Sequence, residues 1–225
     1  GNTGFARMIG EDWDIIPTEL DPPIHSAYRS ALNPIYSPSQ MMKLDGKVRG
    51  RAQELIARFK DKGECEFVQD FAILFPITIF LEMIDLPLER LEQFLEWETG
   101  LLHEMDMAKM ADATRNVVNF LREQIEDRRK APRDDIISYA LSVEVEGSKL
   151  NEDELVGFAF NLFIGGLDTV STNMGLHFLH LARKPQDQDQ LRCNPQDIPN
   201  AIDEMMRAYA AVTTFRTCTK ETEFG

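Results

Sequence analysis

The sequence predicts a mainly α-helical fold with small β-hairpins. Most of the chain shows apolar residues at helical spacing, in segments that end at proline or glycine. One stretch, residues 143–150, instead alternates in the manner of short strands and contains Gly147-Ser148, which predicts a small hairpin. The longest periodic segment begins at Asn151, and it would form a helix about 50 Å long if it continued to Arg183.

The helices of the first half follow from start signals that contain proline. Asp21 is predicted as an N-cap, with Pro22 at the first helical position and the helix ending before Pro34. Ser37-Pro38 predicts the start of a second helix for the same reason. Helices are therefore predicted over residues 21–34 and 37–59, over 67–84 with a bend at Pro76, and over 88–102 and 112–129.

The second half begins with a short helix, which Asp134 or Asp135 is predicted to cap and which ends at Leu141. Asn151 and Glu154 have the spacing of a capping box, in which each side chain accepts a backbone N–H of the other residue. This pair predicts the start of the longest helix. Lys184-Pro185 stops that helix, and two further helices are predicted over residues 186–192 and 198–210.

Two adjacent glycines, Gly165 and Gly166, lie in the middle of the longest helix and are followed by Asp168-Thr169. Each glycine costs about 1 kcal/mol relative to alanine in a helix, and threonine competes for backbone hydrogen bonds of the preceding turn. The helix is therefore predicted to open here, so that a bulky group can approach its backbone. The alternative is a kink that eases the crossing of two helices.

Composition excludes several classes of protein. The net charge of −14 and pI near 4.7 argue against nonspecific nucleic-acid binding. Cys65, Cys193 and Cys218 lack CxxC spacing, which argues against a zinc site or disulfide framework and for a reducing compartment. The longest apolar window, residues 155–167, contains Asn161, so no membrane span is predicted. A cytoplasmic location is the expectation.

Two pairs of residues share a helix face. His25 and Arg29 are four residues apart, and Glu204 and Arg207 are three apart. Either pair by itself is typical of a solvated helix surface. Their order along the chain, together with the other motifs, indicates a resemblance to a known family.

The chain resembles the cytochrome P-450 superfamily, specifically the soluble bacterial branch that includes camphor hydroxylase. The resemblance covers essentially all 225 residues, from before the family's C helix to just after its K helix. It implies part of a single cytochrome P-450 domain with a long central I helix, incomplete at the C-terminus. The motifs that carry the resemblance are Asp21-Pro22-Pro23-Ile24-His25 with Arg29, Ser37-Pro38, Gly165-Gly166-Leu167-Asp168-Thr169 and Glu204-Met205-Met206-Arg207.

The resemblance implies the cofactor haem b and the residues that hold it. His25, Arg29 and Arg216 match positions that bind the haem propionates through charge-assisted hydrogen bonds. Gly165 and Gly166 match the small residues that let haem and O₂ approach the central helix. The axial cysteine is expected beyond Gly225, because Cys218 lacks the flanking phenylalanine and glycines of the ligand loop, so no metal ligand is predicted within this chain.

The resemblance also implies catalytic and substrate-binding residues. Asp168 and Thr169 match the acid–alcohol pair that delivers protons to dioxygen. Glu204 and Arg207 match a structural ion pair. The positions that line the substrate pocket are Trp13, Asn161, Ile164, Val212 and Thr214. Trp13 stands where the camphor enzyme has a tyrosine hydroxyl, and its alternative role is an anchor in the core or a lid.

The implied function is a haem-thiolate monooxygenase that hydroxylates a small hydrophobic, terpenoid-like substrate with O₂ and electrons from a 2Fe-2S ferredoxin. A second hypothesis is a Mg²⁺-dependent terpene cyclase, because residues 134–138 resemble the start of its metal motif; Ser142 stands where that motif requires an acid. A third is a non-enzymatic helical ligand-binding domain, in which the two glycines only ease helix packing.

Overall fold

The computed structural model describes residues 4–212, 218, 220, 221 and 223. The described residues form a mainly helical structure, as predicted, with one two-stranded antiparallel hairpin. The α-helices are α1 (Gly4–Met8), α2 (Ile24–Leu32), α3 (Pro38–Ala57), α4 (Leu74–Met83), α5 (Leu91–Leu102), α6 (Met107–Lys130), α7 (Ile136–Ser142), α8 (Glu152–Gly166), α9 (Asp168–Arg183), α10 (Pro185–Cys193) and α11 (Ile198–Ala208). Short 3₁₀ turns occupy Asn33–Tyr36, Lys60–Lys62, Leu88–Arg90 and Pro195–Asp197.

Local side-chain chemistry sets several helix ends as predicted. Ser37 precedes α3 without a side-chain cap, and Pro38 is the first helical residue. The Asp135 carboxylate accepts the Ser138 N–H at 2.7 Å at the start of α7. Asn151 and Glu154 form the predicted capping box at the start of α8. The hairpin is also confirmed: β1 (Glu144–Val145) pairs with β2 (Ser148–Lys149).

The predicted start of the first helix at Asp21 is wrong, because α2 begins at Ile24. A residue that precedes proline is disfavoured in the helical region, so Pro22 is kept out of the helix by Pro23. The helix start therefore moves past the second proline. The predicted start of a later helix at Asp112 is wrong as well, since α6 begins five residues earlier, at Met107. Asp106 caps it by accepting the Ala108 N–H at 2.8 Å.

The segment in which a bend was predicted at Pro76 changes its helix type before the proline. Residues Val68–Ala72 form a π-helical turn, in which Ile73 N–H donates to the Val68 carbonyl, and α4 then begins at Leu74. Pro76 is the third residue of α4, where its missing N–H costs no helical hydrogen bond. Its ring excludes the carbonyl of residue 72 from an α-helical position, so the wider turn precedes the proline.

The chain divides into two compact units, residues 1–168 and 169–225. The first unit is built on a cluster of aromatic rings from α4, α5, α6 and α8, in which Phe94 contacts both Phe163 at 5.5 Å and Phe120 at 5.4 Å between ring centroids. Trp97 joins the cluster at 6.5 Å from Phe163. Tilted and edge-on ring pairs at these distances stabilise beyond their buried area. The cluster fixes α5 against α8.

The second unit contains the helical residues that follow Asp168. His180 lies 2.8 Å from the Tyr209 hydroxyl and 2.8 Å from the Asp187 carboxylate, which ties α9 to α10 and to the end of α11. An apolar groove of about 840 Å³ lies between these three helices. His177 faces it with a buried Nε2 that has no hydrogen-bond partner among the described residues, and burial lowers the pKa of this imidazole.

By length and composition alone, the segment Glu152–Arg183 could cross a membrane, with a mean hydropathy of 1.3 over its most apolar window. Half of that window is buried within the structure. Leu155, Phe158 and Phe160 of α8 are each buried in the core of the first unit. A helix in the core of a folded domain can be equally long and apolar. The burial of these three side chains is typical of such a core helix.

Candidate functional site

The longest predicted helix is interrupted where its two glycines occur. Helix α8 ends at Gly166, Leu167 adopts φ −98° and ψ −75°, and α9 begins at Asp168. Leu167 is buried, so its side chain anchors the interruption. The interruption that the sequence predicted is confirmed, and it is common to both alternatives, the opening and the kink.

The glycines of α8 serve different purposes. A Cβ built on Gly165 would meet nothing within 4 Å, and one built on Gly166 would meet only the ring of Phe80 at 3.7 Å. A Cβ on Gly157, in contrast, would lie 2.0 Å from the carbonyl oxygen of Asp14. Gly157 is therefore a packing glycine, while Gly165 leaves an open backbone surface at the helix interruption.

Asp168, the predicted acid, lies at the beginning of α9 beside His103. The His103 Nε2 is 3.4 Å from an Asp168 oxygen and 3.4 Å from an oxygen of Glu98. Burial raises the pKa of Glu98, His103 lowers it and Asp168 raises it further. Sequence reasoning missed His103 and Glu98 as neighbours of Asp168, because they lie more than 60 positions away and no local pattern marks them.

Thr169, the predicted alcohol, follows Asp168 in the first turn of α9. The Asn173 side-chain amide donates a hydrogen bond of 2.8 Å to the Thr169 carbonyl. This side-chain donor supplements the backbone hydrogen bonds of the turn, as polar residues do near helix ends. The predicted pair thus stands in the first turn after the interruption.

His25 and Arg29 lie on α2, with His25 half-buried and Arg29 exposed. Over the part of the chain that the structure describes, neither side chain makes a hydrogen bond or ion pair with another residue. An arginine that has no carboxylate partner in a chain of net charge −14 can serve an external carboxylate.

Three of the predicted pocket residues lie in the first unit. Trp13 is 2% exposed, packs against Phe160 at 5.0 Å, and donates its indole N–H to Glu11 at 2.6 Å. The structure thus favours the core-anchor alternative for Trp13. Asn161 is half-buried and accepts a hydrogen bond of 2.9 Å from the Thr18 hydroxyl, and Ile164 is half-buried one turn later.

The remaining predicted residues lie in the second unit. Glu204 and Arg207 form the predicted ion pair through two hydrogen bonds of 2.7 and 2.6 Å, and the arginine lowers the pKa of Glu204. Both side chains are exposed. Val212 is exposed as well. Thr214 and Arg216 lie outside the described residues.

The structure assigns a structural role to Asp135, the second residue of the acidic pair that suggested a terpene cyclase. One oxygen of Asp135 caps α7, and the other accepts a hydrogen bond of 2.7 Å from Arg128 Nε. Both side chains of this ion pair are buried. A carboxylate with both oxygens engaged inside the core is not available to bind Mg²⁺ and a diphosphate.

Comparison with known proteins identifies relatives along almost the whole chain. The sequence model of the family Cytochrome P450 matches residues 55–225. "Probable cytochrome P450 127A1" of Sinorhizobium fredii is 37% identical over 221 residues, which are 98% of this chain and 53% of that protein. A steroid C26-monooxygenase of Mycobacterium tuberculosis is 30% identical over 97% of this chain and 62% of its own length.

Solved structures that resemble this chain belong to the same family as these relatives. The crystal structure of cytochrome P450 CYP101C1 matches with a TM-score of 0.78 and 35% identity, covering 92% of this chain and 51% of that protein. The cytochrome P450 PksS of Bacillus subtilis matches with a TM-score of 0.79 and 28% identity, covering 83% of this chain and 49% of that protein. The chain thus spans about half the length of most of the proteins that it matches.

Proposed function

This chain belongs to the cytochrome P450 family, and from that premise we propose that it is part of a haem-thiolate monooxygenase. We propose further that its 225 residues belong to a single P450 domain. The match of the family model across the boundary between the two compact units supports this. The iron ligand is proposed to come from the part of the relatives' length that this chain does not span.

Members of the family bind haem b, iron protoporphyrin IX. When bound, this group supplies the oxidative chemistry, in which one atom of O₂ enters a C–H bond and the other leaves as water. His25 and Arg29 are proposed to hold the propionates by charge-assisted hydrogen bonds, and Arg216 is proposed as a third contact. Gly165 and Gly166 are proposed to let the ring lie against the backbone of α8.

The observation that carries the proposal is the interruption of the central helix between Gly166 and Asp168. Asp168 and Thr169 begin the helix that follows this interruption, three and four residues after Gly165 in the sequence. The Thr169 hydroxyl is proposed to hold a water or the oxygen substrate by hydrogen bonding. Asp168 is proposed to take protons from solvent through the exposed His103 and pass them on.

The substrate is proposed to be small, hydrophobic and terpenoid-like. A relative named as a steroid C26-monooxygenase supports an apolar substrate. Asn161, Ile164, Val212 and Thr214 are proposed to line the pocket, with Trp13 supporting it from the core. A 2Fe-2S ferredoxin is proposed as the electron donor, by resemblance to the bacterial branch. The net charge of −14 and the exposed free cysteines Cys65, Cys193 and Cys218 support a cytoplasmic location.

Replacing Arg29 with alanine is expected to weaken haem binding about tenfold or more, since a hydrogen bond to a charged group contributes about 1.5–3 kcal/mol. The measurement is the haem-to-protein ratio of the purified protein, together with the spectrum of the reduced protein with CO. The full-length protein, which would include the proposed iron ligand, is expected to show the Soret shift that is typical of thiolate-ligated haem. A full-length protein that binds no haem would contradict the proposed function.

Arg49→Ala is the matched control for this experiment. Arg49 is an exposed cation on α3 whose carboxylate partner, Asp45, is 3.9 Å away. Its removal changes the net charge by the same amount and is expected to leave the haem content unchanged. Equal haem loss in the two variants would mean that the change in net charge causes the loss. It would contradict the proposal that Arg29 binds haem.

Replacing Thr169 with alanine is expected to uncouple electron use from product formation. Without the hydroxyl that directs protons, the electrons reduce O₂ to hydrogen peroxide, and product formed per NADH consumed is expected to fall about tenfold or more. The measurement compares NADH, product and peroxide in a reconstituted system. Thr169→Ser keeps the hydroxyl and is expected to restore most of the coupling. Unchanged coupling in Thr169→Ala would favour the non-enzymatic ligand-binding hypothesis.

A further inference from the structure

Three side chains with metal-binding atoms meet at the start of α9. Glu98 comes from the last turns of α5, His103 directly follows α5, and Asp168 is the first residue of α9. One ligand atom from each lies within 4.8 Å of the other two. The cluster therefore joins the end of one helix to the beginning of another.

The distances within the cluster are compatible with a bound metal ion. His103 Nε2 lies 3.4 Å from the nearest oxygen of Glu98 and of Asp168. Charge-assisted hydrogen bonds between nitrogen and oxygen are usually about 2.7–2.9 Å long. Around a tetrahedral zinc ion with bonds of about 2.0–2.2 Å, neighbouring ligand atoms are about 3.3–3.5 Å apart. Small movements would thus let all three side chains bind one ion.

Glu98 is the buried member of the cluster. It is only 7% exposed, and His103 Nε2 lies 3.4 Å from one of its oxygens. A buried carboxylate is costly unless positive charge is placed beside it. A divalent ion bound by the three side chains would supply such charge.

The packing beneath the cluster holds the ligands in place. Trp97, which immediately precedes Glu98, belongs to the aromatic cluster that fixes α5 against α8. Asp168 follows the end of α8 by two residues, and Leu167 between them is buried. Two of the three ligands therefore adjoin rigid parts of the core. Such support is what a metal site needs in order to bind with defined geometry.

We propose that Glu98, His103 and Asp168 bind a divalent transition-metal ion of the zinc type. The three side chains would provide one nitrogen and two oxygen ligands, with a water molecule in the fourth position. The consequence for turnover rests on the proposed function: an ion on Asp168 removes that carboxylate from proton transfer and would inhibit the enzyme reversibly.

The test is a titration of the purified protein with Zn²⁺ by calorimetry, followed by X-ray absorption at the zinc edge. Cys65, Cys193 and Cys218 are first replaced with serine so that exposed thiols do not compete. One ion is expected per chain, with four nitrogen and oxygen ligands and no sulfur. His103→Ala and Glu98→Gln are each expected to lower the affinity at least about tenfold.

His180→Ala is the matched control, because His180 also lies beside a carboxylate, that of Asp187 at 2.8 Å. This variant is expected to keep the zinc affinity. Loss of binding in His180→Ala, unchanged binding in His103→Ala, or six-coordinate zinc would each overturn the proposal. The titration does not depend on haem or turnover. A protein that binds zinc through His103 and contains no haem would support the metal site while contradicting the proposed function.

Discussion

Replacing Gly157 with alanine is expected to destabilise the protein by about 2–3 kcal/mol or more. The added methyl group would lie 2.0 Å from the carbonyl oxygen of Asp14, which is far shorter than a van der Waals contact between carbon and oxygen. Backbone is the obstacle, and the segment around it is fixed because Trp13, Ile15 and Ile16 are buried. The higher helix propensity of alanine offsets only about 1 kcal/mol of this cost. The free energy of unfolding in urea is the measurement.

Gly46→Ala provides the control for this prediction. Gly46 also lies inside a helix, α3, but a Cβ there would meet nothing within 4 Å. The same substitution is expected to stabilise the protein by about 0.5–1 kcal/mol, since glycine is a poor helix former. The two variants differ only in what surrounds the glycine. Equal effects on stability would mean that the close contact between α8 and residue 14 is not present in solution.

Replacing Arg128 with alanine is expected to destabilise the protein by about 3–5 kcal/mol, the cost of breaking a buried ion pair from one side. The Arg128 side chain is completely buried and donates to Asp135 at 2.7 Å, to Gln124 at 2.7 Å and to the Ile84 carbonyl at 2.6 Å. The substitution would leave a buried carboxylate and a buried carbonyl without this donor. Thermal and urea unfolding measure the effect.

Arg129→Ala is the control, one position along the same helix. Arg129 pairs with Glu126 and Glu152, and all three side chains are between 43% and 52% exposed. Pairs that remain in contact with solvent contribute about 0–1 kcal/mol, so the loss of stability is expected to stay in that range. A loss in Arg128→Ala no greater than in Arg129→Ala would show that the buried network does not hold α6 to α7.

Most helix ends could be predicted because the determining groups are close in sequence. The capping box of Asn151 and Glu154 and the cap at Asp135 need only three residues to form their hydrogen bonds. The interruption after Gly166 was predictable for the same reason, since glycine propensity acts at the residue itself. The predicted starts at Asp21 and Asp112 were exceptions. Pro23 keeps Pro22 out of the first of these helices, and Asp106 caps α6 before Asp112 is reached.

The role of Trp13 and the neighbours of Asp168 could not be predicted from local patterns. Whether an indole faces a pocket or a core depends on which helix covers it, and Phe160 is almost 150 positions away. His103 and Glu98 approach Asp168 only because α5 packs on α8 through aromatic rings. Nothing in the sequence around position 100 indicates that contact.

The sequence by itself determined where this protein is helical, where its central helix opens, and to which family its ordered motifs assign it. These features depend on propensities and hydrogen bonds that act within about one helical turn. Only the tertiary structure decided that Gly157 lies against residue 14, that Arg128 is buried, and that a histidine and a second carboxylate meet Asp168. Each of these depends on burial, which arises when segments distant in sequence exclude water together.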